Sequence, residues 1–221
     1  MNKKIVIVSG GELNEEFTLS VLREEAGCVI GVDRGMEFLY HHQIMPSYIV
    51  GDFDSVDQTI ATYYRDETDV PIREFNPVKD ASDTEIAIRL AMTLGCKEMI
   101  ILGATGGRID HLWANIQSLA IPFQAGVEAQ ILDPQNRIRL IDGDTVIKKD
   151  EAYGPFFSVF PLGAEVYHFN IEGAKYPLTD HTLSPYDSLC VSNQWLEDEV
   201  KISFMNGIVI LMETKDKAEK F

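Results

Sequence analysis

Short apolar runs, many of them rich in β-branched residues, alternate with stretches of helical spacing over the first 135 residues. The apolar runs predict buried strands at Ile5–Val8, Cys28–Val32, Tyr48–Val50, Val70–Ile72, Met99–Leu102 and Ala129–Leu132. The stretches between them predict helices at Asn14–Glu25, Met36–His42, Asp57–Arg65, Thr84–Leu94 and Asp110–Phe123. This alternation indicates an α/β domain over residues 1–135, with a mostly parallel sheet and helices on both faces.

The pattern changes after residue 135, where short strand candidates are separated by Gly, Pro, Asn and Asp. We predict strands at Ile138–Ile141, Thr145–Ile147, Phe156–Phe160, Glu165–Phe169, Leu189–Val191, Val200–Phe204 and Ile208–Met212. The Asn206-Gly207 pair predicts a hairpin joining the last two. We therefore predict a small antiparallel all-β domain over residues 136–214, either a sandwich or a barrel, and we expect the sandwich. Residues 215–221 are predicted to form a tail.

Composition narrows the class of protein. The 221 residues contain 19 Lys+Arg against 35 Asp+Glu, a formal net charge of −16, and no basic cluster. Nucleic acid and anionic membranes are therefore unlikely partners. The three cysteines are far apart, and no apolar run approaches the roughly 18 residues of a membrane helix, so we expect reduced thiols and a cytoplasmic protein.

Acidic residues follow four of the predicted parallel strands. They are Asp33, then Asp52 and Asp54, then Asp80 and Asp83, and finally Asp110. Ligands of doubly wound sheets bind beyond the carboxyl ends of the strands, so we expect these acids to converge at one edge. Crowded carboxylates repel each other unless a hard cation such as Mg²⁺ lies between them, and that ion can also bind a polyphosphate.

A glycine-rich stretch, Gly103–Gly107, precedes Arg108 and the last predicted helix of the first domain. Its backbone could approach a phosphate closely, and Arg108 could bind phosphate oxygens with two hydrogen bonds. Each feature also has a structural reading. Asp33 could cap the next helix, Ser82 to Glu85 has capping-box spacing, and Gly103–Gly107 could be a flexible turn.

The motifs together resemble the thiamine pyrophosphokinase (thiamine diphosphokinase) family, in its compact bacterial type. The resemblance rests on segments that span nearly the whole chain: Val32–Gly35, Gly51–Ser55, Asp80–Glu85, Gly106–His111 with Asn115, and Ser192-Asn193. It implies an N-terminal domain that binds ATP and metal and a C-terminal sandwich that helps to bind thiamine. It further implies a homodimer with active sites between subunits, and transfer of the diphosphate of ATP to the hydroxyethyl oxygen of thiamine with release of AMP.

The resemblance also implies site residues. Metal ligands would be Asp52, Asp54, Asp83 and Asp110, which together with Arg108 form the catalytic set. The residues near ATP would be Asp33, Ser55, Lys79, Thr84, Gly106, Gly107, Arg108 and His111. Thiamine would be bound by Tyr176, Ser192 and Asn193, with Trp195 as a rival stacking residue. Tyr176 stands where some relatives have Trp, and Lys79 where others have a polar amide.

Two other functions stay open on the sequence. The segment from Asp52 to Val56 is similar to the nucleophile loop of haloacid dehalogenase phosphatases, although that loop normally follows the first core strand and this one follows the third. A non-catalytic nucleotide or thiamine sensor could share the fold, but retention of the metal acids and Arg108 argues against it.

Overall fold

The computed structural model describes residues 4–51, 53, 56–74, 81–186 and 188–217. The chain divides into two compact units, Met1–Asp133 and Pro134–Phe221. Within the described residues, no helix is both long enough and apolar enough to span a lipid bilayer. All three cysteines are described, are buried and form no disulfide.

The first unit is built around a parallel sheet. Its strands are β1 (Lys4–Val8), β2 (Cys28–Val32), β3 (Tyr48–Gly51), β4 (Ile72–Glu74), β5 (Glu98–Leu102) and β6 (Glu128–Leu132). They lie in the order β4-β3-β2-β1-β5-β6, and every pair is parallel. The chain builds outward from β1 to β4 and then returns to the other side of β1, so the strand order reverses between β1 and β5. This reversal is the topological switch point of the sheet.

The helices of this unit are α1 (Glu15–Glu25), α2 (Gly35–His41), α3 (Gln58–Asp66), α4 (Asp83–Thr93), α5 (Ile109–Ser118) and α6 (Ala120–Gln124). Three begin at side-chain caps that satisfy backbone N–H groups of the first turn, namely Asn14, Asp57 and Ser82. Helix α4 packs against β1, β2 and β3. The caps fix where these helices start relative to the strand ends.

Proline accounts for two differences from the predicted elements of this unit. The single helix predicted for Asp110–Phe123 is two helices, because Pro122 has no N–H to donate to the carbonyl of Ser118, where α5 ends. The fourth strand begins at Ile72, two residues later than predicted, directly after Pro71, whose carbonyl accepts from the N–H of Ile49. The order and type of the elements are otherwise as predicted.

The second unit is a two-layer antiparallel sandwich. Its strands are β7 (Asn136–Ile141), β8 (Thr145–Lys148), β9 (Phe156–Pro161), β10 (Val166–Glu172), β11 (Leu178–Leu183), β12 (Glu199–Ser203) and β13 (Val209–Thr214). One layer has the order β7-β13-β9 and the other β11-β10-β12-β8. Inward-facing side chains of both layers form one apolar core that includes Phe157, Phe169 and Trp195. The predicted fold class is confirmed.

Three details of the predicted sandwich are wrong. Leu189–Val191 lies in turns, with Leu189 and Val191 exposed. The hairpin predicted at Gly207 does not form, because β12 pairs with β10 and β8 whereas β13 pairs with β7 and β9, so the turn joins two layers. Strand β11 was not predicted, because its sequence, LTDHTL, is mostly polar, as suits a strand at the edge of its sheet.

Candidate active site

A cleft of about 700 Å³ opens at the carboxyl ends of the parallel strands. Its walls come from the segments that follow β1, β2 and β5 and from the first turns of α4 and α5. The lining residues are Ser9, Gly10, Gly11, Glu12, Asp33, Arg34, Ser82, Asp83, Thr84, Gly103, Ala104, Gly106, Gly107, Arg108, His111 and Asn115. The cleft therefore lies at the topological switch point, where doubly wound folds bind their ligands.

Close backbone packing forms the floor of the cleft. The Gly11 N–H donates to the carbonyl of Gly103 over 2.9 Å, which joins the loop after β1 to the glycine-rich loop after β5. A Cβ at Gly11 would lie only 2.4 Å from that carbonyl oxygen, so no other residue fits without a shift of the backbone. The Gly-Gly pair after the first strand is thus as much a part of the site as Gly103–Gly107.

Two hydrogen bonds made by buried polar side chains hold the loops in place. The Ser9 hydroxyl lies 3.0 Å from the Thr84 hydroxyl, which ties the end of β1 to the first turn of α4. The Asn115 amide on α5 donates to the carbonyl of Ala104 over 3.0 Å, which fixes the glycine-rich loop to its own helix. Thr84 is thus both a cleft residue and a structural link.

Arg108 and Asp110 form a bidentate ion pair at the start of α5. The guanidinium Nε and Nη2 donate to the two carboxylate oxygens over 3.1 and 2.5 Å. The hydrogen bond from Arg108 is the main reason that the pKa of Asp110 falls to about 2. Arg108 lines the cleft, whereas Asp110 is not among its lining residues. The carboxylate therefore stays ionised and orients the guanidinium.

Two of the acids predicted to follow the parallel strands, Asp33 and Asp83, line the same cleft. Asp33 has a left-handed backbone, with φ of 46°, and its N–H donates to the carbonyl of Val50 on β3. A Cβ at Gly51 would lie 2.3 Å from the Asp33 carboxylate, so the glycine at position 51 makes room for it. Asp33 thus reaches the end of β3, immediately before Asp52. Asp83 begins α4 and also lines the cleft.

The remaining predicted residues of this unit are Asp52, Asp54, Ser55, Lys79 and Asp80, which lie outside the described residues. Among those that the structure describes, no group of three or more His, Cys, Asp or Glu side chains is placed to hold a metal ion. The described part of the cleft nevertheless offers carboxylate oxygens from Asp33 and Asp83, with no cysteine beside them. That donor chemistry suits a hard divalent cation.

In the second unit, Asn193 and Tyr176 form a closely bonded pair. The Asn193 side chain is buried, accepts from the Tyr176 N–H over 3.0 Å and donates to the Tyr176 carbonyl over 2.8 Å. Tyr176 is 57% exposed, and the ammonium of Lys175 lies 5.4 Å from the centroid of its ring. One face of this ring already lies beside a cation.

Trp195 and Ser192 have different surroundings. Trp195 is buried in the core of the sandwich, packs edge-on against Phe157 and donates its indole N–H to the carbonyl of Ile147. Ser192 is exposed, has a left-handed backbone, and its N–H donates to the Ser158 hydroxyl. The environment of Trp195 is that of a packing residue, which leaves Tyr176 as the accessible ring of the four predicted thiamine residues.

Sequence reasoning missed several residues of the cleft. Ser9, Gly10 and Gly11 directly follow the first strand, and that position at a switch point is the signal that could have identified them. Arg34 was noted only as part of a motif, yet this residue lines the cleft next to Asp33. These residues add a hydroxyl, a close backbone approach and a cation to the site.

The fold and the cleft define a class: a doubly wound α/β unit with a polar ligand cleft at its switch point, followed by an antiparallel β-sandwich. Residues 19–131 match the family described as thiamin pyrophosphokinase, catalytic domain, and residues 144–209 match its vitamin B1 binding domain. The chain belongs to the thiamine pyrophosphokinase family. It is an ATP-dependent enzyme that forms thiamine diphosphate, and the comparisons support neither a phosphatase nor a sensor.

Members of this family match the chain over nearly its whole length. The thiamine pyrophosphokinase of Bacillus subtilis is 32% identical over 216 residues, which cover 97% of this chain and 100% of the relative. The crystal structure of thiamine pyrophosphokinase from Bacillus subtilis superimposes with a TM-score of 0.84 at 29% identity, covering 97% and 100% of the two chains. The crystal structure of thiamin pyrophosphokinase from Geobacillus thermodenitrificans superimposes with a TM-score of 0.81 at 30% identity, covering 97% of this chain and 99% of that one. The predicted family is confirmed.

Proposed function

We propose that the cleft of the first unit binds the polyphosphate of ATP, and that the sandwich presents Tyr176 to thiamine. The observation that carries this proposal is the convergence of Asp33, Asp83, Thr84, Gly106, Gly107, Arg108 and His111 on one cleft at the switch point. Ser55 and Lys79 complete the proposed nucleotide set. The backbone of the glycine-rich loop, which leads into α5, and the Arg108 guanidinium suit phosphate oxygens.

We propose Mg²⁺ as the divalent metal, because the donors available to it are carboxylate oxygens. Its ligands would be Asp52, Asp54 and Asp83, with Asp33 close to the end of β3. Asp110 would join them as the fourth predicted ligand, with the lone pairs that its two hydrogen bonds from Arg108 leave available. When bound, the ion would offset the negative charge of the polyphosphate and of the surrounding acids.

The reaction transfers an intact diphosphate. The hydroxyethyl oxygen of thiamine forms a bond with the β-phosphorus of ATP, the bond from that phosphorus to the oxygen bridging it to the α-phosphate breaks, and AMP leaves. The hydroxyl proton passes to a carboxylate. Asp54 and Asp110 are the candidates, and the low pKa of Asp110 makes it a weak base. Arg108 would offset the charge that develops on the transferred group.

Thiamine carries a positive charge in its thiazolium ring, and the Tyr176 ring offers an exposed face to it. The ammonium near that ring supports the proposal, because it occupies the type of position that a cationic ligand would take. Asn193 would act through Tyr176 as a positioning residue, since its amide holds the backbone of that residue on both sides. Ser192 lies next to it and would supply a hydroxyl.

We further propose a homodimer whose active sites lie between subunits, as the family resemblance implies. A mixing experiment tests this arrangement. Asp83→Asn disables the cleft and Tyr176→Ala weakens thiamine binding by the sandwich, so each variant alone should turn over slowly when thiamine is kept well below its KM. If sites are shared, subunit exchange should restore activity, because each hybrid contains one site with neither change. Hybrids that form, as judged by mass, but stay inactive would contradict shared sites.

The metal assignment is tested by Asp54→Asn, which should fold normally and lose most of its activity. Its affinity for Mn²⁺, measured by electron paramagnetic resonance as a probe of the metal site, should fall at the same time. Asp66→Asn is the matched control, because Asp66 is an exposed residue at the end of α3. Unchanged turnover and Mn²⁺ affinity in Asp54→Asn would remove the assignment.

A further inference from the structure

Positive charge in the cleft comes chiefly from two arginines. Among the described residues that line it, Arg34 follows β2 and Arg108 follows β5, and no lysine is present. Strand β1 lies between β2 and β5, so the two arginines stand on opposite sides of the loop after β1. Glu12, Asp33 and Asp83 also line the cleft, so an anionic ligand that binds there needs the positive charge of these two arginines.

The backbone of Arg34 is fixed on both sides. Asp33 donates its N–H to the carbonyl of Val50, and the Arg34 carbonyl accepts from the N–H of Glu37 over 3.1 Å. A Cβ at Gly10 would lie 3.3 Å from the Arg34 nitrogen, so the loop after β1 packs directly against it. The base of the side chain is therefore held in place while its guanidinium extends into solvent.

The guanidinium of Arg34 is only weakly engaged. Its side chain is 65% exposed, and its Nε lies 4.0 Å from the Glu37 carboxylate, at the limit of an ion pair. The Glu37 carboxylate has a second partner, because its other oxygen accepts a hydrogen bond from the Asp57 N–H over 2.7 Å. Arg108, in contrast, donates two hydrogen bonds to one carboxylate. Arg34 can therefore bind an incoming anion at little cost, since an exposed pair of this length contributes little.

We propose that Arg34 is a second polyphosphate-binding residue, which binds phosphoryl oxygens from the side of the cleft opposite Arg108. Rigid placement of its backbone and freedom of its guanidinium suit a residue that closes on a ligand after the ligand has entered. Arg34 also borders a neighbouring cavity of about 750 Å³ between α2 and α3, which gives the side chain room to move. Its role would be to favour nucleotides with a full polyphosphate over those with fewer phosphates.

This inference rests on the proposed function. Nucleotide binding measured in the absence of thiamine tests the role of Arg34 separately from the transfer reaction. Calorimetry with ATP, AMP and adenosine would compare the wild-type enzyme with Arg34→Gln and Arg34→Lys. We expect Arg34→Gln to weaken ATP binding by about ten-fold or more, because charged hydrogen bonds are lost, and to leave adenosine binding unchanged. Arg34→Lys should recover part of the loss, since it restores the charge without the bidentate geometry.

The matched control is Arg89→Gln, which removes an exposed arginine of α4 that pairs with Glu85 outside the cleft. It should bind ATP like the wild-type enzyme. Equal ATP affinity in Arg34→Gln and wild type would overturn the inference, and so would a parallel loss for ATP and adenosine, which would indicate a general disturbance of the cleft. Wild-type enzyme that binds ATP but forms no thiamine diphosphate would contradict the proposed function and leave the role of Arg34 intact.

Discussion

The hydroxyls of Ser9 and Thr84 lie 3.0 Å apart in the interior of the first unit. Ser9 directly follows the first strand and Thr84 lies in the first turn of α4, so this bond links two segments that are distant in sequence and that both line the cleft. Because the two groups are buried, each depends on the other for a hydrogen-bond partner more than an exposed pair would.

Thr84→Val should therefore lower both stability and ATP affinity. The change keeps the shape of the side chain but removes the partner of the buried Ser9 hydroxyl, which should cost about 1–3 kcal/mol in the free energy of unfolding. Urea unfolding and ATP titration would measure the two effects. Thr93→Val on the exposed side of the same helix is the control and should change stability by less than about 0.5 kcal/mol.

The pair between Arg108 and Asp110 predicts a pH dependence. The hydrogen bond from Arg108 lowers the pKa of Asp110 from 3.8 to about 2. Any stability that the ionised pair contributes is therefore present above pH 3.8 and is lost as the pH falls towards 2. Between about pH 5 and 9 the carboxylate should not titrate. Asp110→Asn should therefore lower kcat/KM by about ten-fold at every pH in this range, through poorer orientation of Arg108.

Rate profiles over that range, recorded for the wild-type enzyme and for Asp110→Asn, check this expectation. The two curves should be parallel. An acidic limb in the wild-type profile that disappears in the variant would mean that Asp110 gains and loses a proton during catalysis, against the low pKa that its ion pair imposes.

Tyr176 and Asn193 should act as one unit in thiamine binding. Tyr176→Ala removes the exposed ring and should raise the KM for thiamine by roughly 2- to 30-fold, with a smaller change in kcat. Asn193→Ala should have a similar effect, and the double variant should be little worse than either single one, because both changes disrupt the same element. Tyr186→Ala, a change at another exposed tyrosine of the sandwich, is the control. Additive effects would contradict a positioning role for Asn193.

The sandwich contains a buried acid, Glu213, and removal of its arginine partner tests how much their ion pair stabilises the fold. Glu213 is fully buried and accepts hydrogen bonds from Arg137 over 2.6 and 2.8 Å. Arg137→Met leaves that carboxylate in the interior without its main partner and should cost about 3–5 kcal/mol in the free energy of unfolding. Lys148→Met, which breaks an exposed pair with Glu151, should cost about 1 kcal/mol or less. Equal effects of the two changes in urea unfolding would show that burial of Glu213 has little energetic weight.

The sequence alone predicted those site residues that come directly after the ends of the parallel strands. Asp33, Asp83 and the glycine-rich loop were placed together because parallel strands deliver their following residues to one edge. The Ser9-Gly10-Gly11 loop was overlooked because it has no acid and matches no phosphate-binding pattern. Its importance arises from close packing against Gly103, which is a tertiary contact that local sequence does not encode.

The sandwich was harder to predict in detail. Its polar edge strand β11 lacks the apolar alternation that reveals a half-buried strand, and the Asn206-Gly207 turn connects two layers rather than two paired strands. Likewise, the sequence leaves open whether Tyr176 or its rival Trp195 stacks on thiamine. Only the fold separates them, because it buries Trp195 against Phe157 and leaves Tyr176 exposed.

The most direct test of the central claim is the stoichiometry of the reaction. The enzyme would be incubated with ATP and Mg²⁺, with and without thiamine, while AMP, ADP, inorganic phosphate and thiamine diphosphate are followed in the same samples. We predict that AMP and thiamine diphosphate appear one for one, and only when thiamine is present. Release of ADP or phosphate without thiamine, or ATP binding with no turnover at all, would contradict diphosphate transfer as the activity of this chain.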